Sequence, residues 1–251
     1  SNPTGLSLDN ASTRALCDAA RAKDTWLLSD EIYAELHHRG AHVSPARHYP
    51  EGTVITGGLS KWCGAGGWRL GFAAFPRAMA AIRTKAIALL SETVSCASAA
   101  AQYGALEAYR GFDTLSDHVE GQRSILRQLA RHSAQALRSC NVRSHDPDGG
   151  FYLYADFEHQ RDALAKRSIF SASQLCEALW NDAKVAVLEA GAFGAPIDSL
   201  AFRLAYVDFD GDNALKAIAR GEKVDDAFLR QHCSQVVEGI EAICAWTTAL
   251  P

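Results

Sequence analysis

The sequence predicts an α/β protein: part of a large domain with a mostly parallel sheet, incomplete at its N-terminus, followed by a smaller α/β domain. Three features carry that expectation. Short apolar runs of strand type alternate with helical patterns along the whole chain, the pattern of strands joined by crossover helices. Two of those runs end at an aspartate or a glycine pair, the strand ends where ligands gather in an open α/β sheet. A helical stretch over 113–140 is long enough to join two domains, and the turn cluster Asp146-Pro147-Asp148-Gly149-Gly150 follows it. The boundary is therefore expected at 115, with one domain over 1–115 and the other over 116–251.

The elements follow in order. Asp9 to Lys23 reads as a helix with Leu16 and several alanines inside. Thr25-Trp26-Leu27-Leu28-Ser29 is a short apolar strand ending at Asp30, and Thr53-Val54-Ile55-Thr56 is a β-branched strand ending in Gly57-Gly58. Gly71 to Phe75 is a third strand, closed by Pro76. Helical spacing then dominates from Arg77 to Cys140, where Leu115, Val119, Ile125, Leu126, Leu129 and Leu137 mark the last helix. Beyond the turn cluster, strands are expected over 151–157, 185–188 and 200–206. Ser171 with Gln174 three residues on is a capping-box helix start. Asp225 to Ala249 reads as one closing helix, with Phe228, Leu229, Cys233, Val236, Val237, Ile240, Ile243 and Cys244 on a broad apolar face.

Composition narrows the function classes. With 251 residues, 48% hydrophobic and 22% charged, the chain is globular in character rather than disordered or fibrous. A net charge of −4 provides no field for gripping nucleic acid or an anionic membrane. No run approaches the roughly 18 apolar residues of a membrane span, and no basic-then-apolar leader pattern opens the chain at Ser1-Asn2-Pro3-Thr4-Gly5. Seven cysteines, an odd number without a C-x-x-C pair, suit reduced thiols in a cytoplasmic setting better than a disulfide framework.

The chemistry starts from the lysines, of which there are seven. Lys61 alone follows a strand and its glycine pair, inside Gly57-Gly58-Leu59-Ser60-Lys61-Trp62-Cys63-Gly64-Ala65-Gly66-Gly67-Trp68-Arg69-Leu70-Gly71. A lysine among glycines that let the backbone approach a ligand is a candidate covalent amine. Arg69, eight residues on, suits a phosphate dianion. Asp30 closes its strand within Ser29-Asp30-Glu31-Ile32-Tyr33, where a carboxylate can hold a ring nitrogen protonated. Tyr33 can donate to a phenolate oxygen from the same side. Those four groups together describe a pyridoxal phosphate site. Each has a plainer reading as well: Asp30 as a helix cap, Tyr33 as a packing residue, Lys61 as a solvated charge and Arg69 as structural. Their common setting favours the site.

The chain resembles the class I/II aminotransferases, the fold-type I pyridoxal-phosphate enzymes, and specifically their C-terminal portion. Four blocks match in order: Asn2-Pro3-Thr4-Gly5; Asp30-Glu31-Ile32-Tyr33; Ser60-Lys61 through Gly67-Trp68-Arg69-Leu70-Gly71; and Phe202-Arg203-Leu204-Ala205. The resemblance implies that Lys61 joins the cofactor covalently and moves the substrate proton. It implies that Asp30 pairs with the pyridinium nitrogen, that Tyr33 and Asn2 bond the cofactor's ring oxygen, and that Ser60 and Arg69 hold its phosphate. Arg203 is implied to fork onto the substrate α-carboxylate, a site to which Asn2 also belongs. Gly150-Phe151-Tyr152 resembles the small-domain strand that faces the active site. The implied activity is ping-pong aminotransfer between an L-amino acid and a 2-oxo acid, by a homodimer. Two alternatives share the same residues: a pyridoxal-phosphate lyase or synthase, and a truncated chain without catalysis.

Two departures from the family pattern stand out. Gly58 occupies a place where the family often has a phosphate-binding serine. The Asn-Pro-x-Gly block, which in the family lies well inside the chain, stands here at Asn2, so the sequence is expected to be part of a longer enzyme. Other features carry plainer readings. His37, His38, His42 and His48 fit no zinc spacing and read as a polar loop. Gly64-Ala65-Gly66-Gly67 is no nucleotide fingerprint, and Cys63 reads as a small packing residue. The arginines at 123, 127, 131 and 138 read as the solvated side of the long helix.

Overall fold

The computed structural model describes residues 1–251, which group into two compact units. One is Ser7–Glu120; the other is Gly121–Pro251 together with Ser1–Leu6. The division thus falls at Glu120, beyond the expected 115, and the first six residues join the C-terminal unit. The reason is local: the Gly5 carbonyl accepts from the backbone N–H groups of Asp148 and Gly149 at 2.9 and 3.1 Å.

In the unit 7–120, helix α1 (Asn10–Ala22) starts where the Asp9 side chain accepts from Ser12 N–H at 2.7 Å, a cap that satisfies one of the open donors of the first turn. Thr13, Cys17 and Ala20 recur at spacings of four and three and form its buried stripe. Cys17 and Ala20 pack with Tyr49 and the partly buried Leu27. Strands β1 (Leu27–Asp30), β2 (Thr53–Gly58) and β3 (Gly71–Ala74) form a sheet in the order β1-β2-β3. β1 and β2 run parallel, with Asp30 opposite Thr56; β2 and β3 run antiparallel. Helices α2 (Ala80–Thr93) and α3 (Ala99–Arg110) follow. This unit leaves much apolar surface open: α2 has no buried residue and every residue of β3 is exposed. Leu28 is 73% and Tyr103 72% exposed.

The unit 121–251 takes up most of helix α4 (Ser116–Ser139), then β4 (Arg143–Ser144), β5 (Tyr152–Asp156), α5 (Arg161–Lys166), α6 (Ala172–Ala178), β6 (Leu188–Glu189), β7 (Ala201–Ala205), α7 (Gly211–Ala219), α8 (Asp226–His232) and α9 (Ser234–Thr248). Its sheet runs β4-β5-β7-β6 with every pairing antiparallel. The core is well formed here. Leu129, Leu137, Leu153, Phe202, Leu229 and Ile243 are buried, and Phe157 stacks near Phe202 and Trp246 at 5.5 and 6.5 Å between ring centroids.

Three expectations are corrected. A mostly parallel sheet describes neither unit: one of two pairings is parallel in the first and none in the second. β2 is joined to β3, and β4 to β5, by short connections without an α-helix, and such connections make antiparallel neighbours. The strand expected over 185–188 is displaced to 188–189, because a π-turn over Leu179–Ala183 and a left-handed Lys184 (φ 60°) use up the preceding residues. The single closing helix is two, broken at Cys233. That residue is fully buried with φ −132° and ψ 31°, and the break lets Phe228 and Leu229 on one side and Val237 and Ile240 on the other all be buried.

Candidate active site

Because β1 and β2 are parallel and registered Asp30 to Thr56, their C-terminal ends lie at the same edge of the sheet. Asp30 closes β1. Thr56 Oγ1 and Ile32 N–H both donate to its Oδ1 at 3.3 Å, and Oδ2 accepts nothing, so an acceptor remains for another donor. Gly57 and Gly58 close β2, and the chain then turns through Leu59, Ser60, Lys61 and Trp62. Leu59 and Trp62 are buried, and Trp62 is wedged against Tyr109 and Phe112 with ring centroids 5.7 and 5.3 Å away. These two anchors hold the turn from both sides and leave Ser60 and Lys61 half-buried between them. Gly64 in the left-handed region (φ 64°) completes the turn, donating to the Lys61 carbonyl at 3.2 Å.

Lys61 Nζ stands 5.6 Å from the centroid of the Tyr33 ring. Tyr33 lies three residues beyond the end of β1, so adjacent parallel strands bring Asp30, Tyr33 and Lys61 to one end of the sheet. Ser60 Oγ makes no hydrogen bond. Arg69 is exposed and takes the left-handed conformation (φ 53°); its Nη1 folds back onto the Gly66 carbonyl at 2.7 Å, and its other guanidinium donors are open. The departure at Gly58 also has its explanation. A Cβ there would stand 2.8 Å from the Leu70 carbonyl oxygen and 3.2 Å from Gly71 Cα, so the close pairing of β2 with β3 excludes a side chain.

In the other unit, Asn2 and Arg203 meet. Arg203 Nη1 donates to Asn2 Oδ1 at 3.0 Å. Gly5 turns the Asn-Pro-Thr-Gly segment with φ 71°, and a Cβ on it would collide with Pro147 and the Tyr152 carbonyl at 2.6 Å. The Arg203 guanidinium is flanked by two rings, Tyr152 at 4.2 Å and Phe193 at 5.0 Å to centroid, a contact that favours a flat cation. Its Nε is buried without a hydrogen-bond partner. An orphaned guanidinium donor is costly unless an acceptor arrives, and a carboxylate is the acceptor a fork of N–H groups fits.

Residues 1–219 match the family model described as aminotransferase class I and II. The chain belongs to that family. It is 35% identical over 201 residues to the aspartate aminotransferase of Geobacillus stearothermophilus, covering 78% of this chain and 49% of that one. It is 30% identical over 224 residues to the aspartate/prephenate aminotransferase of Thermus thermophilus, covering 89% and 54%. Among solved structures, the Thermus thermophilus aspartate aminotransferase with maleate superposes with a TM-score of 0.69 at 29% identity, over 88% of this chain and 54% of that one. The chain spans about half the length of the curated aminotransferases it matches.

Two features of this chain escaped sequence reasoning. Phe193, beside Arg203, lies in a one-turn helix between Gly191 and Gly194; the flanking glycines marked a turn but gave no sign of where its ring would go. The histidine-rich loop has a charged anchor as well. Glu31 accepts from Ser44 Oγ at 2.5 Å and pairs with His42 Nε2 at 3.1 Å. Burial pulls the Glu31 carboxyl up, but the hydrogen bonds from His42 and Ser44, the His42 charge and Ser29 together hold it below its ordinary value. His48 Nε2 bonds Asn10 Oδ1 at 2.8 Å, in keeping with a polar loop.

Proposed function

We propose that this chain works in a pyridoxal-phosphate-dependent aminotransferase that moves an amino group from an L-amino acid to a 2-oxo acid by a ping-pong route. The observation that carries the reading is the grouping of Lys61, Tyr33 and Asp30 at neighbouring strand ends, with Lys61 Nζ 5.6 Å from the Tyr33 ring.

The residues fit the cofactor by their chemistry. Asp30 offers an open carboxylate oxygen to a protonated ring nitrogen. Ser60 Oγ and the open donors of Arg69 suit a phosphate, and at Gly58, where a side chain is excluded, only backbone could serve. The Tyr33 hydroxyl is a donor for the ring oxygen. The family resemblance assigns Asn2 to the same oxygen, and its amide nitrogen is the donor left for it, since the side-chain oxygen is taken by Arg203. Bound, pyridoxal phosphate supplies the electron sink for the bond broken at the substrate Cα. The chain's own part is proton transfer and positioning. Lys61 Nζ would take the proton from the substrate Cα and deliver it to the cofactor's C4′ carbon. Arg203, flanked by Tyr152 and Phe193, is the residue the family resemblance assigns to the substrate α-carboxylate.

Relatives named for aspartate and prephenate make aspartate the first amino donor to try. A homodimer is the assembly we propose with it, on the family resemblance. A cytoplasmic setting is supported by seven cysteines in no disulfide. Incubating the protein with pyridoxal phosphate, reducing with borohydride and mapping the modified peptide tests the reading. The label belongs on Lys61, and a Lys61→Ala protein should show neither label nor visible chromophore. Label on another lysine with Lys61 untouched would sink it.

A further inference from the structure

Two cysteines far apart in sequence meet where α4 ends. Cys140 follows the last residue of α4, and its Sγ–H donates to the Leu137 carbonyl at 3.1 Å. Cys244, on α9, donates to the next carbonyl back, Ala136, at 3.4 Å. Both sulfurs therefore cap the same turn on neighbouring carbonyls, and each is the leading influence on the other's thiol. Both cysteines are half-buried rather than sealed.

We propose that Cys140 and Cys244 form a redox-responsive dithiol, in which Cys140 is attacked first by a hydroperoxide and Cys244 closes the disulfide. The Cys140 thiolate takes one peroxide oxygen and breaks the O–O bond, giving a sulfenic acid and an alcohol or water. The Cys244 thiol then attacks that sulfur and water leaves. Two thiols and one hydroperoxide become one disulfide, one alcohol or water, and one further water.

The surroundings divide the labour. Hydrogen bonding from Cys244 is the main influence that holds the Cys140 thiol down, to about 7, against the opposing effect of burial. The same bond, with burial and the nearby Glu241 carboxylate, pushes Cys244 up. So a share of Cys140 is thiolate near neutral pH, while its neighbour keeps the proton that the leaving oxygen needs. Burial pushes Cys17, Cys63, Cys176 and Cys233 up instead, and none of these is paired with another thiol. Oxidation would tie the end of α4 to α9 across 104 positions of sequence.

The test is hydroperoxide treatment of the full chain, followed by peptide mapping without reductant, alongside the pH profile of Cys140 alkylation. The expected result is a linked 140–244 peptide lacking two hydrogens, restored by a thiol reductant. The alkylation midpoint should lie near 7 and move up by roughly one unit in Cys244→Ala, toward the ordinary thiol value of about 8.5. Absence of the linked peptide, or Cys140 accumulating as the sulfinic acid beside an unmodified Cys244, overturns the proposal. If Cys244→Ala fails to fold, the wild-type peptide map decides alone.

Discussion

Arg203 Nη1 donates to Asn2 Oδ1 at 3.0 Å, joining residues 201 positions apart in sequence. This is the only hydrogen bond the guanidinium makes within the protein, and its Nε stays buried without one. The side chain is thus oriented by one amide and two aromatic rings, while most of its donors make no hydrogen bond within the protein.

That arrangement predicts how the two residues differ on substitution. Arg203→Lys keeps the charge and loses the fork, so kcat/KM for amino donors should fall by roughly 100-fold. Asn2→Ala releases the guanidinium without removing it, and KM should rise by about 5- to 10-fold, the worth of one hydrogen bond of about 1 kcal/mol. Steady-state kinetics on both variants check this; equal effects would contradict the positioning role of Asn2.

Gly58 is a second case where geometry sets the outcome. Gly58→Ser restores the side chain common in the family but places a Cβ 2.8 Å from the Leu70 carbonyl. Strands β2 and β3 must part to admit it. The variant should lose about 1–3 kcal/mol of stability and gain no cofactor affinity. Thermal unfolding and cofactor titration measure the two effects separately.

The Glu31 anchor makes part of the stability depend on acid. Its folded carboxyl lies below the ordinary 4.5, so the unfolded chain binds a proton first as pH falls. The contribution is full above about 4.5 and is lost as pH falls through the lower folded value. Glu31→Gln should lower stability at pH 7 and flatten that part of the acid limb. Urea unfolding at pH 7, 4.5 and 3.5 would expose an unchanged slope if the idea is wrong.

Open apolar surface predicts behaviour in solution. β1 and β3 are both edges of a three-stranded sheet, and Leu28 and Trp26 are 73% and 59% exposed beside β1. Exposed apolar edges template association. Leu28→Lys should raise the concentration at which this chain stays monodisperse, read by light scattering, with little change in unfolding temperature.

Much of the candidate site was legible in residue order. Asp30, Lys61 and Arg69 were found because rare residue types fell directly after strand-like runs and among glycines. Helix starts were equally readable, since Asp9 and Ser171 cap through side chains local in sequence. What could not be read were long-range consequences. Cys233 carries the apolar periodicity of one continuous helix, yet core packing breaks the helix there. Phe193 and Tyr152 converge on Arg203 from separate turns and strands.

The sequence by itself determined which chemistry this protein can hold: a lysine, an aspartate, a tyrosine and two arginines in an order that marks the aminotransferase family. It did so because those signals are local, written within a few residues of each strand end. Tertiary structure alone decided strand direction, the exclusion of any side chain at Gly58, the ring sandwich around Arg203 and the meeting of Cys140 with Cys244. Each of these depends on which distant backbones pack together, a free energy summed over many contacts that no short stretch of sequence contains.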